Sequence, residues 1–216
     1  MGTELSNQIT QQKRKLIAMS GLAAAALVGA MVLDTKVIVN GSLEDLRQQA
    51  FSPDNYAKIH YPEIKAFVLE KAVDGQTLLS ALKEDKKAAG QQYGVAGGIG
   101  PVIPVTFSGQ VLDGRSGVFK IKIPGFPDNQ TVRMQTGPAI NGTDLRDATG
   151  KIQFGEFKNQ IEYQDVGAAI NRVMKADTLA NLDQDNLSGQ EIDVTGVFRL
   201  INAKNWLVTP VEVSVR

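Results

Sequence analysis

The stretch QTGPAINGTDLRDATGKIQFGEFKNQIEYQDVG, residues 135–167, holds the residue types best suited to binding chemistry in this chain. Gly137-Pro138 and Asn141-Gly142 are turn makers, and Thr143 or Asp144 can cap a short helical turn through Leu145, Arg146 and Asp147. Free backbone N–H groups at such a turn, with a guanidinium beside them, can hold an anion or a sugar hydroxyl. Gln135, Asn141, Asn159, Gln160 and Glu162 add amides and a carboxylate of the kind that bind polyols. The candidate ligand-binding set is therefore Gln135, Asn141, Thr143, Asp144, Arg146, Asp147, Asn159, Gln160 and Glu162. A structural role competes with it: Arg146 would pair with Asp147 or Glu162, and Asn141 and Asn159 would satisfy loop backbone, because buried polar connections need internal hydrogen bonds whatever they do. Asp144, Asp147, Glu156 and Glu162 could also supply an acid/base pair for hydrolysis, but their spacing favours no particular pair. No catalytic residue is assigned, and a non-enzymatic role is expected.

Composition removes other chemistries. The chain has no cysteine and one histidine, His60, so thiol nucleophiles, disulfides and multi-histidine metal sites are excluded within its 216 residues. Neither a metal nor a cofactor is expected. Lys+Arg 23 balance Asp+Glu 23, and aromatics are 6% of the residues, which gives no basic, aromatic-lined surface for nucleic acid. His60 reads as a surface or helix-entry residue.

The elements that must position the polar stretch form an α+β chain. Pro62 suits the first position of a helix with Ile64, Phe67 and Val68 on one face, after a turn at Phe51-Ser-Pro-Asp-Asn. Asp74-Gly75 separates it from a second helix with Leu78, Leu79 and Leu82 inward, ended by Gly90 or Gly94. YGVAGGIGPVIP, residues 93–104, lacks the Lys-Ser/Thr and the following helix of a phosphate loop and reads as a flexible linker. Beyond it the period becomes two: Val105 to Val111, Phe119 to Ile123 and Thr131 to Gln135 alternate as strands, with turn chemistry at Asp113-Gly114 and Ser116-Gly117. Val166, Ile170, Val173 and Met174 then mark an amphipathic helix, and Ile192 to Leu200 and Leu207 to Val215 are two more strands. Three strands, a helix and two strands is the order of a five-stranded OB-like barrel with one plug helix.

At the other end, KRKLIAMSGLAAAALVGAMVLDTK spans residues 13–36, uncharged from Leu16 to Leu33. As a helix it would be about 27 Å long, enough for a thin bilayer core, and the basic cluster before it keeps residues 1–15 cytoplasmic. A signal anchor in the inner membrane, single-pass with the bulk in the periplasm, is expected. The alternative is a free periplasmic protein after cleavage behind Val28-Gly29-Ala30. Gly21, Ala25 and Gly29 lie four apart on a face that could pair two such helices in a homodimer. The expected organisation is 1–15 cytoplasmic, 16–33 anchor, 34–100 helical extension and Gly-rich linker, and 101–216 barrel.

Three further stretches, TGPAINGTDLRDA, FGEFKNQIEYQDVGAAIN and FRLINAKNWLVTPVEV, with LDTKVI, RQQAF and LLSALKEDKKAAGQQYG before them, resemble the DUF2291 family over about residues 33–215. The resemblance implies an OB-like barrel with an amino-terminal helical extension, a bacterial envelope location, and a place beside sugar-type ABC uptake systems. ABC transporter subunits or a sugar-binding protein are the partners it implies. It carries over no catalytic or binding residue. The family is described as lipoproteins, yet this chain has no cysteine to take a lipid, so Leu16 to Leu33 would have to anchor it or the protein would be released into the periplasm.

Overall fold

The computed structural model describes residues 29–31 and 51–216. Apart from residues 29–31, the segment read as a membrane anchor, Leu16 to Leu33, lies outside the described residues, as do the Gly21/Ala25 part of the pairing face and the cytoplasmic segment. Among the described residues no helix is long and apolar enough to cross a membrane.

Ser52–Arg216 forms one compact unit. It begins with helix α1, Pro53–Lys71, where Ser52 accepts a hydrogen bond from the Asn55 N–H at 3.3 Å and Pro53 occupies the first turn. A turn is expected at Phe51-Ser-Pro-Asp-Asn and a helix start at Pro62. The cap is one proline earlier, because Ser-Pro-Asp is itself a start signal. Pro62 sits exposed inside the helix, where it lacks one N–H donor. His60 stacks on Tyr56, with ring centroids 4.1 Å apart. Strand β1, Val73–Asp74, was not anticipated. Asp74 then caps helix α2, Gly75–Glu84, by accepting from the Thr77 N–H, and α2 buries Leu78, Leu79 and Leu82. Asp85 caps helix α3, Lys86–Tyr93, which ends at Gly94.

Strands β2 (Val102–Arg115), β3 (Val118–Lys122), β4 (Thr131–Gln135), β5 (Glu191–Arg199) and β6 (Asn205–Val215) follow the expected alternation. Because β2 is long, it pairs antiparallel with β5 along Val102–Gln110 and with β3 from Gln110 onward. With β3–β4 and β5–β6 antiparallel and β4–β6 parallel, the strands close into a ring, and β1 adds a parallel edge to β2. A closed ring leaves few free edges. Its interior holds Ile103, Val105, Ile121, Val132, Met134, Ile192, Val194, Phe198, Trp206 and Val208, joined by the α2 leucines.

Between β4 and β5 the chain makes one helical turn, α4 (Asp144–Asp147), and then helix α5, Gln160–Thr178. The helix expected as a plug buries Val166, Ile170 and Met174, and packs along α1 and against β6. In this second layer the buried Tyr61 hydroxyl meets Asp177 and Thr178. Burial pushes its phenol up from 10.0 to about 12; the Thr178 bond opposes this, and the Asp177 charge adds to it. An acid whose folded pKa is raised leaves stability intact below the unfolded value and loses it as pH climbs from there to the folded one. Alkaline unfolding is therefore expected to set in between pH 10.0 and about 12, and Tyr61→Phe to shift its midpoint upward in a pH titration followed by circular dichroism.

Candidate functional site

The α4 turn is anchored by Leu145 and Ala148, both fully buried, which leaves Asp144, Arg146 and Asp147 around its rim. Arg146 is itself only 7% exposed. Its guanidinium lies on the Tyr163 ring, 3.5 Å from the centroid, an arrangement that stabilises a desolvated cation. Its Nη1 donates to the Tyr163 carbonyl at 3.0 Å and its Nε to Asp147 Oδ1 at 2.8 Å. From the end of β5 comes Arg199. Its Nε donates to Asp144 Oδ1 at 3.0 Å, its Nη2 to Asp147 Oδ2 at 2.6 Å, and its Nη1 to the Gly100 carbonyl at 3.2 Å. Thr143 Oγ1 also donates to Asp147 Oδ2, at 2.9 Å. Two arginines and two aspartates thus interlock, with Asp147 shared between the cations.

The two carboxyls respond differently to burial. Asp144, with one guanidinium partner, is raised above its ordinary value by desolvation, which outweighs the pull of Arg199. For Asp147 desolvation also acts upward, but the bonds from Arg146, Thr143 and Arg199 together hold it below the ordinary range. Burial raises the Tyr163 phenol, with the Arg146 charge opposing.

This cluster floors a cavity of about 490 Å³, lined also by Gln153, Ile152, Gly150 and Ala96 to Ile99. The Gly-rich stretch expected to be a linker is thus a closed loop. Val95 and Val102 pair through two 2.9 Å hydrogen bonds, and the intervening residues form a strap along the cavity. A Cβ at Gly97 would fall 2.7 Å from Arg199 Nη1 and 2.8 Å from the Gly100 carbonyl oxygen, so a side chain there would force the strap or the guanidinium to shift.

Of the nine sequence-derived candidates, Thr143, Asp144, Arg146 and Asp147 converge here. Arg146 pairs with Asp147 and not with Glu162. Gln135 and Asn141 form a separate clamp: Gln135 Nε2 donates to the Asn141 carbonyl and to Thr209 Oγ1, and its Oε1 accepts from the Asn141 N–H. Asn159 caps α5 by accepting from the Glu162 N–H, while Glu162 accepts from the Lys158 N–H. Gln160 is exposed in the first turn of α5. Arg199, Tyr163 and the strap were missed. Arg199 did leave a trace, as the lone cation closing a strand whose neighbours Phe198 and Leu200 point inward.

A family model described as "Predicted periplasmic lipoprotein (DUF2291)" matches residues 22–214. The chain belongs to the DUF2291 family. Its fold is similar to the crystal structure of an OB-fold protein from Thermotoga maritima, with a TM-score of 0.64 and 15% identity over 77% of this chain and 99% of the other. No curated protein matches it. In this DUF2291 chain the barrel is the closed ring of β2 to β6, with β4 and β6 as its parallel pair. Both cluster carboxylates face guanidinium groups, which opposes a bound cation. Among the described residues no three His, Cys, Asp or Glu side chains group as metal ligands.

Proposed function

We propose that this DUF2291 protein is a non-enzymatic periplasmic accessory module, tethered to the inner membrane, that binds a small polar ligand in the cavity beside Arg146 and serves a sugar-type ABC importer. One observation carries the binding reading. Arg146 is more than nine-tenths buried on the cavity wall, yet its Nη2 has no hydrogen-bond partner among the described residues. That donor edge is left for an acceptor in the cavity that Arg146 lines. The importer and the tether rest on the family resemblance and on the charge pattern around Leu16 to Leu33. A hydrolase is disfavoured because Asp147 is held by both guanidinium groups and Asp144 by Arg199, so the two carboxyls serve as structural partners of the arginines.

Thermal melts of the full chain in detergent micelles, with sugars and sugar derivatives at millimolar concentration, test the reading. A ligand at about 100 times its Kd stabilises by about 2.7 kcal/mol, or about 5–11 °C in a chain of this size. A flat screen would remove the binding role, and failure to co-purify with transporter subunits would remove the importer.

A further inference from the structure

Two of the most exposed large apolar side chains among the described residues belong to one surface. Ile99, in the glycine strap, is 83% exposed, and Ile201, in the turn after β5, is 63% exposed. Strap and turn are tied together. Arg199 Nη1 holds the Gly100 carbonyl at 3.2 Å, and the Leu200 N–H donates to the Pro101 carbonyl at 2.9 Å. Lys86, at the start of α3, donates to the Ile201 carbonyl at 2.6 Å, and with Lys87 and Ile99 it lines an open hollow of about 810 Å³. One exposed isoleucine is ordinary, but two beside exposed lysines make an apolar tip with a cationic rim. The rim is weakly positive: Lys83, Lys86 and Lys87 outnumber Glu84 and Asp85 by one, and Asp85 Oδ1 is spent on the N–H groups of Lys87 and Ala88.

We propose that this surface rests on the phospholipid of the membrane that tethers the chain, with Ile99 and Ile201 entering the headgroup boundary and Lys86 and Lys87 facing phosphate. The proposal rests on the tether in the reading above. Residues 34–50 join the expected anchor to the folded unit and reach at most roughly 60 Å, so the surface stays near the bilayer. Size decides against a protein partner. A specific protein interface takes about 800 Å² from each side, and recruitment from solution must first offset lost translational and rotational freedom. Two isoleucines and two lysines fall short of that, whereas a tethered unit needs only a weak second contact. Ile99 also lines the Arg146 cavity, so lipid contact holds that cavity close to the membrane surface.

The chain has no cysteine, so an engineered one carries a nitroxide label without competition. Gly98→Cys places the label beside Ile99, where an added Cβ meets nothing within 4 Å, and Asp113→Cys places it at the far end of β2. The full chain is reconstituted in phosphatidylcholine nanodiscs with and without phosphatidylglycerol. Collisions of the label with oxygen, which concentrates in lipid, are compared with those of a water-soluble nickel chelate. The oxygen-to-nickel ratio is expected to be about threefold or more higher for Gly98→Cys than for Asp113→Cys, and to rise further with phosphatidylglycerol. Adding Ile99→Ser and Ile201→Ser, both at exposed positions, is expected to erase that difference with the same label in place.

Chain found outside the discs would overturn the tether. Chain in the discs with equal ratios at the two sites, or a high ratio that the serine substitutions leave unchanged, would overturn the lipid contact and leave the tether standing. A label shielded only after transporter subunits are added would assign the surface to a protein and overturn the lipid contact as well. No response to phosphatidylglycerol would remove the part given to the lysines.

Discussion

Arg199→Ala is expected to lower the melting temperature of the chain by about 6–20 °C. Arg199 neutralises Asp144 alone and Asp147 jointly with Arg146, and the side chains of Arg199, Asp144 and Asp147 are 12%, 15% and 18% exposed. Removing one partner of a buried ion pair leaves an uncompensated charge and costs about 3–5 kcal/mol. In a chain of this size each kcal/mol is worth about 2–4 °C. The loss has a pH signature. Without Arg199 the Asp144 carboxyl, already raised by burial, rises further. An acid with a raised folded pKa destabilises the fold once pH exceeds the unfolded value, and protonation relieves it. The gap in melting temperature between parent and variant is therefore expected to be smaller at mildly acidic pH than at pH 7. Adding Asp144→Asn to Arg199→Ala should recover part of the loss, with a coupling of about 0.5–3 kcal/mol in the double-mutant cycle. Strictly additive effects would mean that the cluster is not the source.

Trp206→Ala is expected to cost a comparable amount for a different reason, and without the pH signature. The indole is fully buried at the centre of the ring, stacked on Phe198 with centroids 4.9 Å apart and meeting Phe126 edge-on at 5.5 Å. Its Nε1 donates to the Ala203 carbonyl at 2.9 Å, which pins the β5–β6 turn. Truncating a buried Trp to Ala loses transfer energy and leaves a cavity, about 3–5 kcal/mol together. Chemical denaturation by urea, followed by circular dichroism, measures it. Trp206→Phe should cost much less, because most of the volume remains, and its excess over a pure packing loss reports the hydrogen bond to Ala203. As this is the only tryptophan in the chain, its fluorescence in the parent follows unfolding of the ring itself.

Strand content was legible because burial leaves a period-two imprint. Val105 to Val111, Phe119 to Ile123 and Ile192 to Leu200 alternate, and each observed strand overlaps its expected range, the second and fourth ending one residue earlier. The two-residue β1 was not, since two residues carry no period. The α1 start was misplaced because two prolines compete for it, and the side-chain cap at Ser52 settles it. In the site, Thr143, Asp144, Arg146 and Asp147 share one turn, so local chemistry singled them out. Gln135, Asn141, Asn159 and Glu162 have the same residue types but spend their polar groups on clamping and capping backbone.

The sequence by itself determined the α+β class, the order of the five long strands and the central helix, the family, and the turn that carries Arg146. All of these depend on neighbours within a few residues, where hydrophobic period, turn residues and caps act directly. The tertiary structure alone decided that β2 reaches both β3 and β5 to close the ring. It also decided that Arg199 arrives beside Asp147, 52 residues earlier in the chain, and that a glycine strap lies along the pair. Such meetings are set by strand length, register and the packing of α5, and residue type at one position holds no record of what a distant segment will bring against it.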